Sequence, residues 1–384
     1  MLVFIFWLLI VLIIYCYFGY PLILKGLTFL FTKPVKRDIF EPSVSILISV
    51  WNEADVIKGK LRNLLALDYP EDKFEIIIGA DGCTDKTIEI INSIDDPRIR
   101  CIAYSDRRGK MVTLNKLIKE TTNDYIVFTD ARQFFDKHAV RSLLSNFADS
   151  TVGCVSGELR FWEREGSTAR GVNLYWRYEK FIRAQESKLG SMLGATGAIY
   201  AIRKSLYKEV PDHVVLDDMY VPLRIIEAGY RAVFDESAFV FDEVADNPKE
   251  EYRRKARTLS GNFQIFQIFW YMFIPFKSPI AVQLFSHKLL RIFVPVLMIV
   301  LFVLNLFMLV NPFYQMMFTL QILFYCAAFS GALARGKKNG ILKLISRVCG
   351  LPYVFCLLNF SALSGLVRYL RGRQKVTWKK ARNV

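Results

Sequence analysis

An α/β domain of parallel, Rossmann-like βαβ units flanked by transmembrane helices is the architecture that the sequence predicts. Three observations lead there. Long apolar runs lie at the two ends of the chain, charge of both signs is concentrated between them, and short β-branched runs alternate with helical stretches from Val44 onward.

The first element, residues 1–32, begins MLVFIFWLLIVLIIYCYFGY. It has no basic leading region and no small-residue cleavage site, and it exceeds the apolar length of a signal peptide, so it reads as a retained transmembrane helix. Gly19, Tyr20 and Pro21 mark a kink or the point where it meets the interface.

Residues 40–260 form the soluble domain. Val44 to Val50, Phe74 to Gly79, Arg98 to Ala103, Tyr125 to Thr129 and Val152 to Val155 read as strands. Helices are expected near Asp55 to Leu67, Asp85 to Ser93, Lys110 to Glu120 and Lys137 to Phe147. That order implies a parallel sheet, whose ligands bind at the carboxyl ends of the strands. Polar residues stand at those ends: Asn52 and Glu53 after the first strand, Asp81 and Asp85 after the second, Asp130, Arg132 and Gln133 after the fourth. Asp and Asn also cap helices, a reading that suits Asp85 as well as a ligand contact does. Neither GxGxxG nor GxxxxGK[ST] occurs, so phosphates must be met by side chains and a metal rather than by a glycine loop.

Residues 262–287 are aromatic-rich and broken by Pro275 and Pro279, which suits an interfacial helix. Within 289–367, Leu289 to Val310 and Phe313 to Ala334 form a spanning hairpin around Asn311-Pro312. Ile341 to Val367 is either a further crossing or, helped by Pro352 and Asn359, a re-entrant or interfacial segment. A basic tail, 368–384, closes the chain.

The balance of 51 basic to 36 acidic residues gives +15. Much of the excess borders apolar runs (Lys33, Lys36, Arg37, Lys288, Arg291, Arg335, Lys337, Lys338), which is the positive-inside pattern and places the soluble domain in the cytoplasm of a multi-pass protein of the cell membrane. With no zinc-finger, RNP-type or basic-zipper pattern, nucleic acid is not an expected partner. Seven scattered cysteines without a CxxC pair argue against a disulfide framework. Three distant histidines, His138, His213 and His287, give no zinc-site spacing.

An ordered series of segments then narrows the function: SILISVWNE, IIGADGCTD, RRGKMVTLN, IVFTDARQ, GATGAIYAIRK, VLDDMYVPLRIIEAGYR and RRKARTLSGN. In this order the stretch from about Pro42 to Gln264 resembles family 2 glycosyltransferases of the GT-A fold, in particular the membrane-embedded branch with cellulose, chitin and hyaluronan synthases. The resemblance implies a UDP-sugar donor, with Asn52, Glu53 and Asp81 around the uracil and ribose and Lys110 at the phosphates. It implies Asp130 as ligand of Mg²⁺ or Mn²⁺, Asp218 as general base with Asp217 supporting it, and Arg254 and Arg257 facing the diphosphate. Two positions depart from the family pattern. The metal-binding DxD reads Asp130-Ala131-Arg132, and Thr258 replaces the tryptophan of [QR]xxRW.

The expected activity is inverting transfer of a hexosyl or N-acetylhexosaminyl group from a UDP-sugar to a glycan or lipid-linked acceptor in polysaccharide synthesis. Membrane lipids surround the protein and polysaccharide export proteins are the partners to expect. The alternative is a catalytically silent scaffold or transport subunit of a polysaccharide assembly complex, to which the altered DxD and the missing Trp point.

Overall fold

The computed structural model describes residues 1–162, 167–243, 248–334 and 340–372, with backbone alone at 167–175, 248–251, 253, 254 and 343. The chain divides into two compact units. One is built on a sheet (Leu30–Trp162 and Arg183–Glu243); the other is helical, and its described parts are 1–29, 167–182, 248–334 and 340–372.

In the sheet unit, eight strands follow one another in the chain: β1 (Val44–Val50), β2 (Phe74–Asp81), β3 (Ile99–Tyr104), β4 (Tyr125–Thr129), β5 (Phe134–Phe135), β6 (Val152–Phe161), β7 (Tyr200–Arg203) and β8 (Arg231–Asp242). They assemble in the order β3-β2-β1-β4-β7-β6-β8-β5. The β3-β2-β1-β4 half is parallel throughout. All seven residues of β1 are buried, as a central parallel strand covered on both faces requires. Since the chain runs outward from β1 to β3 and then returns to the other side of β1, the sheet reverses direction between β1 and β4. A crevice opens at the carboxyl ends of strands at such a switch point.

The other half differs from the all-parallel expectation. β7 lies antiparallel between β4 and β6, and β5 is antiparallel to β8. β6 continues to Phe161, well beyond Val155, and pairs in parallel with β8 through two register shifts. The short β7 segment YAIR draws its stability from two long-range partners rather than from its own pattern.

Among the described residues the helical unit contains four helices long and apolar enough to cross a membrane: Leu2–Leu30, Ala281–Leu306, Pro312–Leu333 and Gly350–Leu370. The first two each contain a π-helical turn, Tyr15–Gly19 and Leu284–Leu289. The Tyr15 and Ser286 hydroxyls meet there at 2.8 Å, while the Tyr178 hydroxyl donates to the Cys16 and Tyr17 carbonyls. Such extra-residue turns loosen the backbone ladder, and a neighbouring side chain takes up the freed carbonyls. The π-helical turn of the first helix ends at Gly19. A short helix, Gly340–Val348, precedes the last apolar one.

Candidate active site

Each polar residue at a strand end is fixed by its backbone surroundings. After β1 the chain turns through Asn52 in the left-handed region (φ +54°), which Asn tolerates better than other side-chain-bearing residues. The Thr84 N–H donates to Asn52 Oδ1 (2.8 Å) and Asn52 Nδ2 donates to Thr84 Oγ1 (3.0 Å), so the β1 and β2 turns are joined. The Glu53 N–H donates to Thr87 Oγ1 at 2.8 Å. Asp85 accepts the Thr87 N–H (3.0 Å) two residues on, just ahead of helix Thr87–Asn92, whose N-cap position is Lys86.

Asp81, at the end of β2, is 1% exposed and accepts the backbone N–H groups of Arg108 and Gly109, each at 2.8 Å. Its carboxylate thereby shapes the turn that delivers Lys110 to the first position of helix Lys110–Glu120. Gly109 sits at φ +99° and Gly82 at φ +63°. At Gly82 a Cβ would lie 2.5 Å from the Arg107 nitrogen, so only glycine lets these two turns touch. Above them the Arg107 guanidinium stacks 3.3 Å from the centre of the Trp51 ring.

Lys110 links the remaining acids. Its ammonium lies 3.0 Å from Asp130 Oδ1, just past β4, and 3.5 Å from Asp217 Oδ1, at the start of helix Asp217–Glu227. Tyr200 of β7 donates from its hydroxyl to Asp217 Oδ2 at 3.0 Å. Burial disfavours the Lys110 charge, but Asp130, Asp217 and Asp218 outweigh it and hold the ammonium above its ordinary range. For Asp130, desolvation is overcome by Lys110 first and by Arg132 and Lys60 behind it, and the carboxyl stays below its usual value.

Asp218 is the opposite case. Burial and then the Asp217 charge push its carboxyl up to about 6, against the pull of Lys110 and Arg183. A loop of small residues wraps it. The Ala195 N–H donates to the Asp218 carbonyl (2.6 Å), and a Cβ on Gly197 would stand 3.2 Å from Asp218 Oδ2. Arg183, from the sheet-unit end of helix Ser167–Leu189, donates to Thr196 Oγ1 of this loop at 2.9 Å.

The sheet unit thus brings together Lys110, Asp130, Asp217 and Asp218, and sets Asn52, Glu53 and Asp81 along the neighbouring strand ends. Arg257 lies on helix Pro248–Ile268 of the helical unit, and the Arg254 side chain falls outside the described residues. Sequence reasoning overlooks Arg183, Tyr200 and Lys60. For Lys60 a signal exists, since it shares the face of helix Ile57–Leu65 with Ile57, Leu61 and Leu64 and so stands where an apolar residue belongs.

Among the described residues no three His, Cys, Asp or Glu side chains gather as a metal cluster. Asp130, its side chain 42% exposed, offers a single carboxylate. That donor set fits Mg²⁺ or Mn²⁺ held chiefly by a ligand's phosphates, since these ions commonly take only one or two carboxylates from protein. An acid poised near 6 beside a Lys–Asp pair can accept a proton from a hydroxyl while the pair faces an anionic leaving group.

Residues 45–210 match the family described as Glycosyl transferase family 2. A poly-beta-1,6-N-acetyl-D-glucosamine synthase of Staphylococcus aureus is 26% identical over 260 residues, which cover 63% of this chain and 62% of the relative. The probable glycosyltransferase YdaM of Bacillus subtilis is 26% identical over 247 residues, 62% of this chain and 59% of the relative. The chain therefore spans about three fifths of these relatives' length. Among solved structures, the mannosyltransferase PcManGT from Pyrobaculum calidifontis, in complex with GDP-Man and Mn²⁺, shares the fold. Its TM-score is 0.71 at 21% identity, covering 97% of this chain and 100% of that one.

Proposed function

We propose that the chain is a family 2 glycosyltransferase, and from its site a membrane-bound inverting enzyme that moves a sugar from a UDP-sugar to a polysaccharide or lipid-linked acceptor. The observation that carries this reading is the pairing of opposite environments in one crevice. Asp218 is held near 6 by burial and Asp217, and Asp130 is held ionised by Lys110. Two carboxyls pushed apart in this way take different roles.

In the proposed reaction the acceptor hydroxyl attacks the anomeric carbon from the side opposite the diphosphate. The new C–O bond forms as the bond to the phosphate oxygen breaks, and the hydroxyl proton passes to Asp218. The departing diphosphate carries the negative charge away, met by the Lys110 ammonium. A divalent cation at Asp130, when bound, would supply further positive charge to the diphosphate. Asn52, Glu53 and Asp81 surround the base and ribose. Asp217 holds Lys110 in place, since it binds Lys110 and Tyr200 at once.

The polymer named for the Staphylococcus aureus relative supports a polysaccharide product, and its N-acetylglucosamine unit puts UDP-N-acetylhexosamines first among donors. The GDP-Man held by PcManGT makes a guanosine donor the direct rival. The four apolar helices and the basic residues bordering them support a multi-pass arrangement with the sheet unit in the cytoplasm. Export proteins are then the partners of a polymer product.

A donor screen with purified protein, Mg²⁺ or Mn²⁺ and membrane lipid extract tests the reading. UDP release from at least one UDP-sugar, with a glycosylated product whose size reports single or repeated addition, is expected. No nucleoside diphosphate released from any UDP- or GDP-sugar would leave the scaffold reading, to which Arg132 in the degenerate DxD points.

A further inference from the structure

Lys60 is a lysine that the reaction above does not use. It is fully buried on helix Ile57–Leu65, and no carboxylate lies within 4.0 Å of its ammonium among the described residues. Its partners are neutral. Nζ donates to Thr129 Oγ1 (3.0 Å) and to the Gln133 carbonyl (2.6 Å), and it stands 4.3 Å from the centre of the Phe135 ring. An unpaired buried cation opposes folding, and an apolar side chain of similar length would serve the core at least as well. Burial accordingly lowers this ammonium to about 7, with only the field of Asp130 opposing.

The partners share one feature. Thr129 is the last residue of β4, and Gln133 closes the turn Asp130-Ala131-Arg132-Gln133. Lys60 therefore clasps both ends of the turn that presents Asp130. The far side is pinned as well, because Gln133 Nε2 donates to Asp242 Oδ2 (2.9 Å) and Thr129 Oγ1 lies 2.9 Å from the Ala198 carbonyl. Between the clasps Ala131 is buried and the Asp130 side chain is partly exposed. When protonated, this amine also adds to the field of Lys110 and Arg132 that favours ionised Asp130.

We infer that Lys60 is a positioning residue for the donor diphosphate: its buried amine ties the Asp130 turn shut from beneath, through Thr129 and the Gln133 carbonyl. This rests on the nucleotide-sugar reading of the crevice. It accounts for a costly amine kept in the core, and it makes the turn with only one acid a rigid element.

The test compares Lys60→Met and Thr129→Val with wild type. UDP affinity is measured by calorimetry with and without Mn²⁺, Mn²⁺ affinity by electron paramagnetic resonance, and folding by melting temperature. Lys60→Met is expected to melt at or above the wild-type temperature and to lose about tenfold or more in UDP–Mn²⁺ affinity. In turnover the loss falls on the donor KM. Thr129→Val, which keeps the amine and removes one tether, loses about threefold. If Lys60→Met does not fold, Thr129→Val decides alone by the same measure. Binding within twofold of wild type in every folded variant overturns the inference, and so does a reduced active fraction with unchanged KM, the mark of a merely structural lysine. A wild type that binds neither UDP nor GDP sinks the functional reading and the inference together. A wild type that binds, with variants that bind equally, sinks only the inference.

Discussion

Asp217→Asn gives the sharpest view of how this site sets its base. The substitution removes one negative charge beside Asp218, while the new amide can still accept the Tyr200 hydroxyl and keeps nearly the same shape. Asp218 stands at about 6 because burial first, and Asp217 next, disfavour its ionised form. Two unit charges a few ångströms apart at an effective dielectric near 20 interact by about 1–3 kcal/mol, and ~1.4 kcal/mol is a tenfold change in acid dissociation. Since only ionised Asp218 accepts a proton, rate is lost as pH falls through its pKa. Lowering that pKa extends activity to lower pH. The acid limb of kcat should move from near pH 6 to about pH 5 or below. Near pH 5 the wild type retains roughly a tenth of its plateau and the variant about half, a fivefold difference once each profile is normalised. The plateau itself falls, because Lys110 loses an ionic partner at 3.5 Å. The assay is product formation against pH at saturating donor. An acid limb that stays in place or moves upward would refute the reasoning.

Other perturbations follow from the same contacts. Arg183→Gln removes a charge that holds Asp218 down, so the acid limb should move upward; Arg183→Lys restores the charge and should return it, as pH profiles will report. Gly197→Ala places a Cβ 3.2 Å from Asp218 Oδ2 and should cut kcat about tenfold, roughly 1.4 kcal/mol, while calorimetry shows unchanged UDP binding. For Lys60, the fall from 10.5 to about 7 corresponds to a penalty of at most roughly 5 kcal/mol. The unfolded chain binds the proton more tightly, so the penalty is full below about pH 7 and shrinks as pH rises towards 10.5. Melting curves should show Lys60→Met gaining on wild type at about pH 6, with the gap narrowing by up to ~3 kcal/mol near pH 9.

Legibility in the sequence followed the range of the forces involved. β1 (VSILISV) and β4 (YIVFT) show their limits directly, because each is a short, fully buried run rich in β-branched residues with Asn52 or Asp130 within two residues of its end. Helix Lys110–Glu120 begins where Gly109 predicts a break. β7 and β8 escape because their pairing partners lie far away in sequence, and no local period announces an antiparallel strand inserted between β4 and β6. Among the site residues, Asp130 and Asp218 stand at element ends and are legible there. Tyr200 and Arg183 are not, since one points inward from a strand and the other reaches a loop from a helix end. Lys60 shows most plainly what a sequence withholds. Its place on the apolar face of helix Ile57–Leu65 marks it as out of the ordinary, but only the fold reveals that its amine is buried and bonded to the Gln133 carbonyl at the end of the Asp130 turn.

In the proposed reaction Asp218 takes the acceptor's proton while Lys110 and Asp130 meet the diphosphate. Its most direct test is nucleoside diphosphate release by wild type and Asp218→Asn with the best donor from the screen, with nucleotide affinity measured on the same samples. Asp218→Asn is expected to release it at least a hundredfold more slowly, about 2.7 kcal/mol or more, with UDP affinity within threefold of wild type. Release near the wild-type rate, or a loss of affinity that matches the loss of rate, would contradict it.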